Sequence, residues 1–176
     1  MDRSAAIPYR LGEPQWERFF DRIVARLSPS TVMDAGCAIG FLVTALRGRH
    51  IDARGIDTSE WPIGQPPPDV REYCHVGSVA ESFDRVYDLI TCIEVLEHLS
   101  SADAAAAIDN FCGHARLILF SSTPDDFEEM SHVTVRPADC WAALFAAHGF
   151  CLDFDFDGSF LTPTPSSFGR QPTLGR

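Results

Sequence analysis

The feature that constrains this chain most is the stretch from Thr31 to Gly40, TVMDAGCAIG. A run that reads as a buried strand leads into a glycine turn, and Phe41 to Arg47 then reads as a helix. A strand that ends in glycines and opens a helix can bring bare backbone amides close to a ligand, with no β-carbon at Gly36 or Gly40 in the way. A second hydrophobic segment, Ala53 to Asp57, closes on a carboxylate about 20 residues further along, where doubly wound α/β folds keep an acidic group for ribose hydroxyls.

The glycine spacing narrows the ligand. The nicotinamide fingerprint G-x-G-x-x-G, laid on Gly36, requires glycine at Ala38 and Phe41, and a large ring at Phe41 would block close packing of helix on strand. The chain instead carries D-A-G-C-A-I-G from Asp34 to Gly40. This resembles the D-x-G-x-G-x-G motif of class I S-adenosylmethionine-dependent methyltransferases, with Ala38 where that family usually has its middle glycine. A second segment, DLITCIEVLEHL from Asp88 to Leu99, is similar to the end of the fourth strand in ubiquinone-biosynthesis-like small-molecule methyltransferases. The similarities run in the expected order from Val32 to about Phe150.

That resemblance implies S-adenosylmethionine as cofactor and S-adenosylhomocysteine as product. It places Asp57, with Thr58 beside it, at the ribose hydroxyls. Asp34 and the turn Gly36, Cys37, Ala38 and Gly40 fall at the amino-acid end. Gly77, Ser78 and Val79 fall near the adenine, Ser78 replacing the family's carboxylate, and the backbone of Cys92 and Ile93 meets the methionine portion. The acceptor is expected against Tyr9, Trp16, Glu94 and Glu97. His98 and His132 are the candidate general bases, needed only if the acceptor is a poor nucleophile such as a hydroxyl. For Glu97, capping a helix or facing solvent is the competing role. The acidic run Asp125, Asp126, Glu128 and Glu129 could ligate a divalent ion with His132, but reads first as a solvated loop, so no metal is assigned.

Length and charge set further bounds. A chain of 176 residues suits one domain, taken here as 1–162 with a mobile lead-in at 1–13 and a disordered tail at 163–176. The net charge is −11 and no Lys/Arg cluster is present, which argues for a small-molecule acceptor over nucleic acid. Six scattered cysteines without a C-x-x-C spacing suggest buried free thiols and a reducing, cytoplasmic compartment. No apolar run has the length of a signal peptide core or a membrane span. Oligomeric state leaves no mark in the sequence.

Read in order, Pro14 opens a helix with an apolar stripe through Leu27. Strands follow at Thr31–Ala35, Ala53–Asp57, Glu72–Val76, Arg85–Cys92 and Ala115–Ser121, with helices over Ala102–Phe111 and after Pro137. The proline-rich stretch WPIGQPPPD is expected to be neither helix nor central strand. Strands at Phe150–Phe156 and Ser159–Thr162 would close the sheet. The expectation is a doubly wound, mostly parallel Rossmann-like α/β sheet with helices on both faces and an antiparallel C-terminal strand or hairpin. Methyl transfer to an oxygen or nitrogen of a small molecule, a secondary metabolite or sugar, is the activity implied. Two alternatives stay open: a non-catalytic methyltransferase-like binding module, and a nucleotide-dependent oxidoreductase.

Overall fold

The computed structural model describes residues 13–64, 66–156 and 173–175, without the side chains of 13–19, 61–62 and 173–175. Its elements are α1 (Glu13–Leu27), β1 (Thr31–Ala35), α2 (Phe41–Arg47), β2 (Asp52–Asp57), α3 (Glu60–Ile63), α4 (Pro68–Arg71), β3 (Cys74–Val76), β4 (Tyr87–Ile93), α5 (Ser101–His114), β5 (Ala115–Ser121), α6 (Ala138–Ala147), β6 (Cys151–Asp153) and β7 (Thr173–Gly175). A single 3-10 turn, Leu96–His98, lies between β4 and α5.

The strands form one sheet in the order β3-β2-β1-β4-β5-β7-β6. The first five are parallel, and β7 runs antiparallel to both β5 and β6. Alternation along each strand sends neighbouring side chains to opposite faces. Val32, Leu89 and Leu119 therefore join Phe20, Ile23, Val43, Leu46 and Val70 on one face. Met33, Ile90 and Ile118 join Ala107, Ile108, Phe111, Trp141 and Phe145 on the other. Burial on both sides explains why β4 and β5 read as almost continuous hydrophobic runs. The chain leaves β1 in one direction across the sheet and returns through β4 in the other. The carboxyl ends of β1 and β4 thus flank the switch-point crevice where such sheets bind ligands.

Asp88, the first residue of the second motif, has a structural task at the opposite end of the sheet. Its Oδ2 accepts the amides of Ser30 and Thr31 at 3.0 and 3.1 Å, and its own amide donates to Thr31 Oγ1 at 2.9 Å. These bonds fix the register of β1 against β4, which sets where the site residues at the far end fall.

Two expectations are corrected. The proline-rich stretch holds two four-residue helical turns, α3 and α4. Pro62 and Pro68 both fall in a first turn, where a missing N–H leaves no intrahelical bond unmade, so neither excludes helix. The tail expected to be disordered contributes β7, whose Leu174 is in register with Ile118 on one side and Leu152 on the other. One apolar residue in three carries no periodicity, so composition hid this strand. The expected strand at 159–162 lies outside the described residues, as does Tyr9, and for Trp16 only the backbone is described. Among the described residues, no helix is long and apolar enough to cross a membrane.

Asn110 on α5 holds the segment after β3. Its Oδ1 accepts the Phe83 amide at 3.2 Å, and its Nδ2 donates to the carbonyls of Val79 and Glu81 at 2.9 and 2.6 Å. Asn110→Ala removes three hydrogen bonds at once, two of them buried, and is expected to lower stability by about 2–3 kcal/mol, read by urea denaturation.

Candidate active site

The carboxyl ends of β1, β2 and β4 bring the predicted residues together. Gly36 has φ +85°, and a β-carbon there would lie 2.3 Å from Val95 Cγ2. This glycine therefore lets the turn after β1 lie directly on the residue after Glu94, joining the two motifs into one site. Gly40 also has positive φ, and a β-carbon on it would meet Pro66 at 2.9 Å and Cys74 Sγ at 3.0 Å. Ala38 holds φ +46°, so the family's middle glycine is replaced by an alanine in left-handed backbone. Such a residue costs roughly 1 kcal/mol, which the surrounding bonds hold in place.

The amides of the turn do not match the sequence expectation of bare donors. Gly36 and Cys37 both donate to Ile56 O, at 2.8 and 3.0 Å, and Gly40 donates to Cys37 O at 2.8 Å. The Ala38 amide donates to Asp57 Oδ2 at 3.0 Å. The turn thus offers a ligand its shape and its carbonyl oxygens. Carbonyl oxygens suit an ammonium group better than a carboxylate.

Asp57 accepts Ala38 N–H on Oδ2 and Ser59 N–H on Oδ1, the latter at 2.9 Å. Each carboxylate oxygen has room for one further hydrogen bond, which matches the two donors of a ribose diol. Asp34 is buried and accepts the Thr91 hydroxyl at 2.8 Å. Burial pushes its carboxyl up to about 7, Thr91 opposes this, and the Asp57 charge adds to it. Two neighbouring carboxylates in a crevice fit a cationic ligand, and S-adenosylmethionine carries a sulfonium and an ammonium.

The sign of the Asp34 shift gives a pH prediction. The fold holds this proton up to about 7, against an ordinary value of 3.8, so folded chains bind more protons than unfolded ones between those values. Stability of the free protein therefore falls as pH rises across that window. An ammonium group, which S-adenosylhomocysteine keeps although it lacks the sulfonium charge, favours the ionised form. Affinity for S-adenosylhomocysteine is expected to rise about tenfold from about pH 6 to about pH 8, and Asp34→Asn should flatten the profile.

Other predicted contacts divide by side chain and backbone. Thr58 is exposed beside Asp57, and Ser78 Oγ accepts the Ala80 amide at 3.2 Å, leaving its hydrogen free to donate. Gly77 donates to Asp57 O at 2.9 Å, which holds the turn after β3 against β2. Val79 and Cys92 are buried core side chains, so only their backbones can face a ligand. Ile93, partly exposed, ends β4 opposite Ser121.

Beyond β4 the chain strains and turns. Glu94 sits at φ +53°, left-handed backbone at a non-glycine residue, and accepts the Ser121 hydroxyl at 2.7 Å. Burial, then the negative charge of Glu97, pushes the Glu94 carboxyl up to about 7. Glu97 neither caps a helix nor faces solvent. Its side chain is fully buried, Oε1 accepts the Thr123 amide at a long 3.4 Å, and the carboxylate accepts the proton-bearing Glu94 carboxyl. Its backbone carbonyl accepts the amides of Val133 and Thr134 at 2.8 and 2.9 Å, which draws the loop after β5 over the site.

That loop brings His132 to His98, with ring centroids 4.7 Å apart. His98 Nδ1 lies 3.2 Å from Ser131 O, and His132 Nδ1 lies 3.0 Å from Asp126 O. A carbonyl only accepts, so both Nδ1 atoms carry the hydrogen, and in the neutral rings both Nε2 atoms present a lone pair. Ligand-capable atoms of Glu97, His98 and His132 all lie within 4.8 Å of one another. A buried carboxylate and two imidazoles oriented by carbonyls are together a group that could hold a divalent ion. The acidic run that raised the question in the sequence builds the loop instead. Asp126 Oδ1 accepts the Glu129 amide, and Glu129 Oε1 accepts Ser131.

Fold and site together define a Rossmann-like protein with a nucleoside-type crevice at the switch point. The profile of the methyltransferase domain family matches residues 10–153. The chain therefore belongs to that family, within the class I S-adenosylmethionine-dependent methyltransferases. It is 31% identical over 100 residues to a ubiquinone biosynthesis O-methyltransferase of Nitrosomonas europaea, covering 52% of this chain and 42% of the relative. The chain thus spans under half the length of the curated relatives it matches first. Magnesium protoporphyrin IX methyltransferase from Synechocystis PCC 6803, solved with S-adenosylmethionine bound, superimposes with TM-score 0.67 at 23% identity, over 92% of this chain and 78% of that one. The small RNA methyltransferase HEN1 superimposes with TM-score 0.66 at 18% identity, over 99% of this chain and 26% of that one. These two likenesses show the fold.

Proposed function

We propose that the chain transfers the methyl group of S-adenosylmethionine to a hydroxyl oxygen of a small-molecule acceptor, beside a divalent cation held by Glu97, His98 and His132. The observation that carries this reading is the buried Glu97 carboxyl gathered with His98 and His132, their ligand-capable atoms all within 4.8 Å of one another. A sulfonium is an activated donor, so the protein's main work is to align acceptor and methyl group in line and to exclude water. Asp57 and Asp34 fix the donor, while the strained Glu94 turn and the loop from Thr123 to Pro137 form the acceptor side. A neutral hydroxyl is a poor nucleophile and must lose its proton, and Glu94, with its raised carboxyl, and the two imidazoles are the groups placed to receive it. A cation at this site would supply positive charge that favours the acceptor's oxyanion.

Oxygen is preferred to nitrogen because an amine needs no such help, and because the curated relatives are named O-methyltransferases. The loop exposes Phe127, Met130 and Val133, which favours an acceptor with an apolar body. The net charge of −11 disfavours a nucleic acid, although a small RNA methyltransferase shares the fold.

The test is release of S-adenosylhomocysteine from catechol and from a primary aromatic amine, with magnesium and with chelator. Catechol turnover should need the metal, and calorimetry of the chelated protein should show magnesium or manganese binding. Amine turnover indifferent to chelator would overturn the oxygen and metal reading. No binding of either donor or product would leave the non-catalytic module.

A further inference from the structure

We propose that Cys37 and Cys74 are a dithiol pair that peroxide closes to a disulfide, loosening the hold on the cofactor. The proposal rests on the cofactor lying against the Gly36–Gly40 turn and Asp57. Cys37 belongs to that turn, and Cys74 is the first residue of β3, in register with Gly55 on β2. A β-carbon on Gly55 would stand 2.6 Å from both Cβ and Sγ of Cys37. The Cys37 side chain therefore occupies the place a Gly55 side chain would take, next to Cys74 on the neighbouring strand and on the same face. Cys74 Sγ is also 3.0 Å from where a Gly40 β-carbon would lie, so both sulfurs sit directly beneath the turn.

Cys92 and Cys112 are buried on the opposite face of the sheet, and Cys140 and Cys151 are exposed. Cys37 and Cys74 are both free and buried. Their environments differ. The neighbouring Cys37 thiol, and after it the Arg47 charge, ease Cys74 toward the thiolate. Cys37 is held protonated by Cys74 first, then by burial and by Asp34 and Asp57. The two sulfurs thus polarise one another, Cys74 toward the thiolate and Cys37 toward the thiol.

The chemistry balances with hydrogen peroxide as oxidant. The Cys74 thiolate attacks one peroxide oxygen, the O–O bond breaks, and the departing hydroxide takes a proton to leave as water. The Cys37 sulfur then attacks the resulting sulfenic acid at Cys74 sulfur, and its proton leaves with the expelled hydroxide as a second water. Two electrons pass from the sulfurs to peroxide, and two thiols become one disulfide.

A disulfide needs sulfurs about 2.0 Å apart, closer than two thiols in contact. Cys74 is fixed in a paired strand, so the turn must move toward β3. That motion pulls on the Cys37 amide bonded to Ile56 O and on the Ala38 amide bonded to Asp57 Oδ2. Loss of one charge-assisted bond at the ribose-binding carboxylate predicts S-adenosylhomocysteine affinity about tenfold to a hundredfold weaker in the oxidised protein.

The experiment treats the whole chain with hydrogen peroxide. Intact mass should fall by two hydrogens, a digest should yield a Cys37–Cys74 cross-linked peptide, and calorimetry with S-adenosylhomocysteine should show the weakening, reversed by dithiothreitol. Cys74→Ser should bind as the reduced protein does and not respond to peroxide. The wild-type comparison before and after reduction needs no variant, so a misfolded substitution does not spoil the test. Oxygen addition without a cross-link, or a cross-link with unchanged affinity, overturns the proposal. Failure of the reduced protein to bind would instead overturn the placement of the cofactor.

Discussion

Asp57→Ala will weaken S-adenosylhomocysteine binding by at least about a hundredfold, with a melting temperature showing that the variant is folded. The magnitude follows from two charge-assisted bonds to a ribose diol, each worth roughly 1.5–3 kcal/mol, when ten-fold in affinity is about 1.4 kcal/mol. Asp57 also orders its own surroundings, because its two oxygens hold the amides of Ala38 and Ser59. Alanine therefore removes the ribose acceptors and releases the turn that shapes the amino-acid end. Asp57→Asn separates these effects. It keeps one acceptor oxygen and the same volume, so a loss of about tenfold is expected, close to one charged bond. Calorimetry at several ionic strengths is the measurement. Wild-type affinity in the alanine variant would mean that the carboxylate serves only the fold and that the ribose lies elsewhere.

The parts legible in the sequence are those whose signal is local. β1 and β5 fall on their expected bounds, because each is a short apolar run closed by a glycine, serine or charged residue. The position of Asp57 beside the turn after β1 was legible because its distance from Gly36 reflects one βαβ unit. What was not legible depends on contacts between distant residues. The Gly36 requirement comes from Val95, and that of Gly40 from Pro66 and Cys74. Asp88 reads as part of a site motif yet works at the other end of the sheet. Glu97 illustrates the limit most sharply: next to His98 at the end of a strand, a glutamate reads as a cap or a solvated group. Only the loop after β5, folding back so that Val133 and Thr134 donate to the Glu97 carbonyl, buries it and brings His132 alongside. A residue's partner some 35 positions away leaves no periodicity to read.

Glu97→Gln carries the second large effect, and it is expected to act on metal binding and turnover without harming the fold. The amide keeps the shape and an oxygen for the Thr123 amide, but it replaces an anionic ligand by a neutral one. Divalent-metal affinity should fall by about a hundredfold, and oxygen methylation with it. Stability in chelator should hold or rise, because the wild-type fold confines a buried carboxylate against a second carboxyl, Glu94. A proton readout separates a ligand from a merely structural carboxylate. Glu94 is pushed up to about 7, first by burial and then by the Glu97 charge, so near neutral pH it holds a proton that a neighbouring dication would expel. Metal affinity in the wild type should therefore rise with pH through about 7, with protons released in calorimetry that compares buffers of different ionisation enthalpy. In Glu97→Gln one cause of the raised Glu94 carboxyl is gone, so the residual binding should release fewer protons. If the wild type takes up no metal and the glutamine variant turns over normally, His98 and His132 remain as an imidazole pair beside Glu97. The reaction would then rest on general-base chemistry, and turnover would be indifferent to chelator.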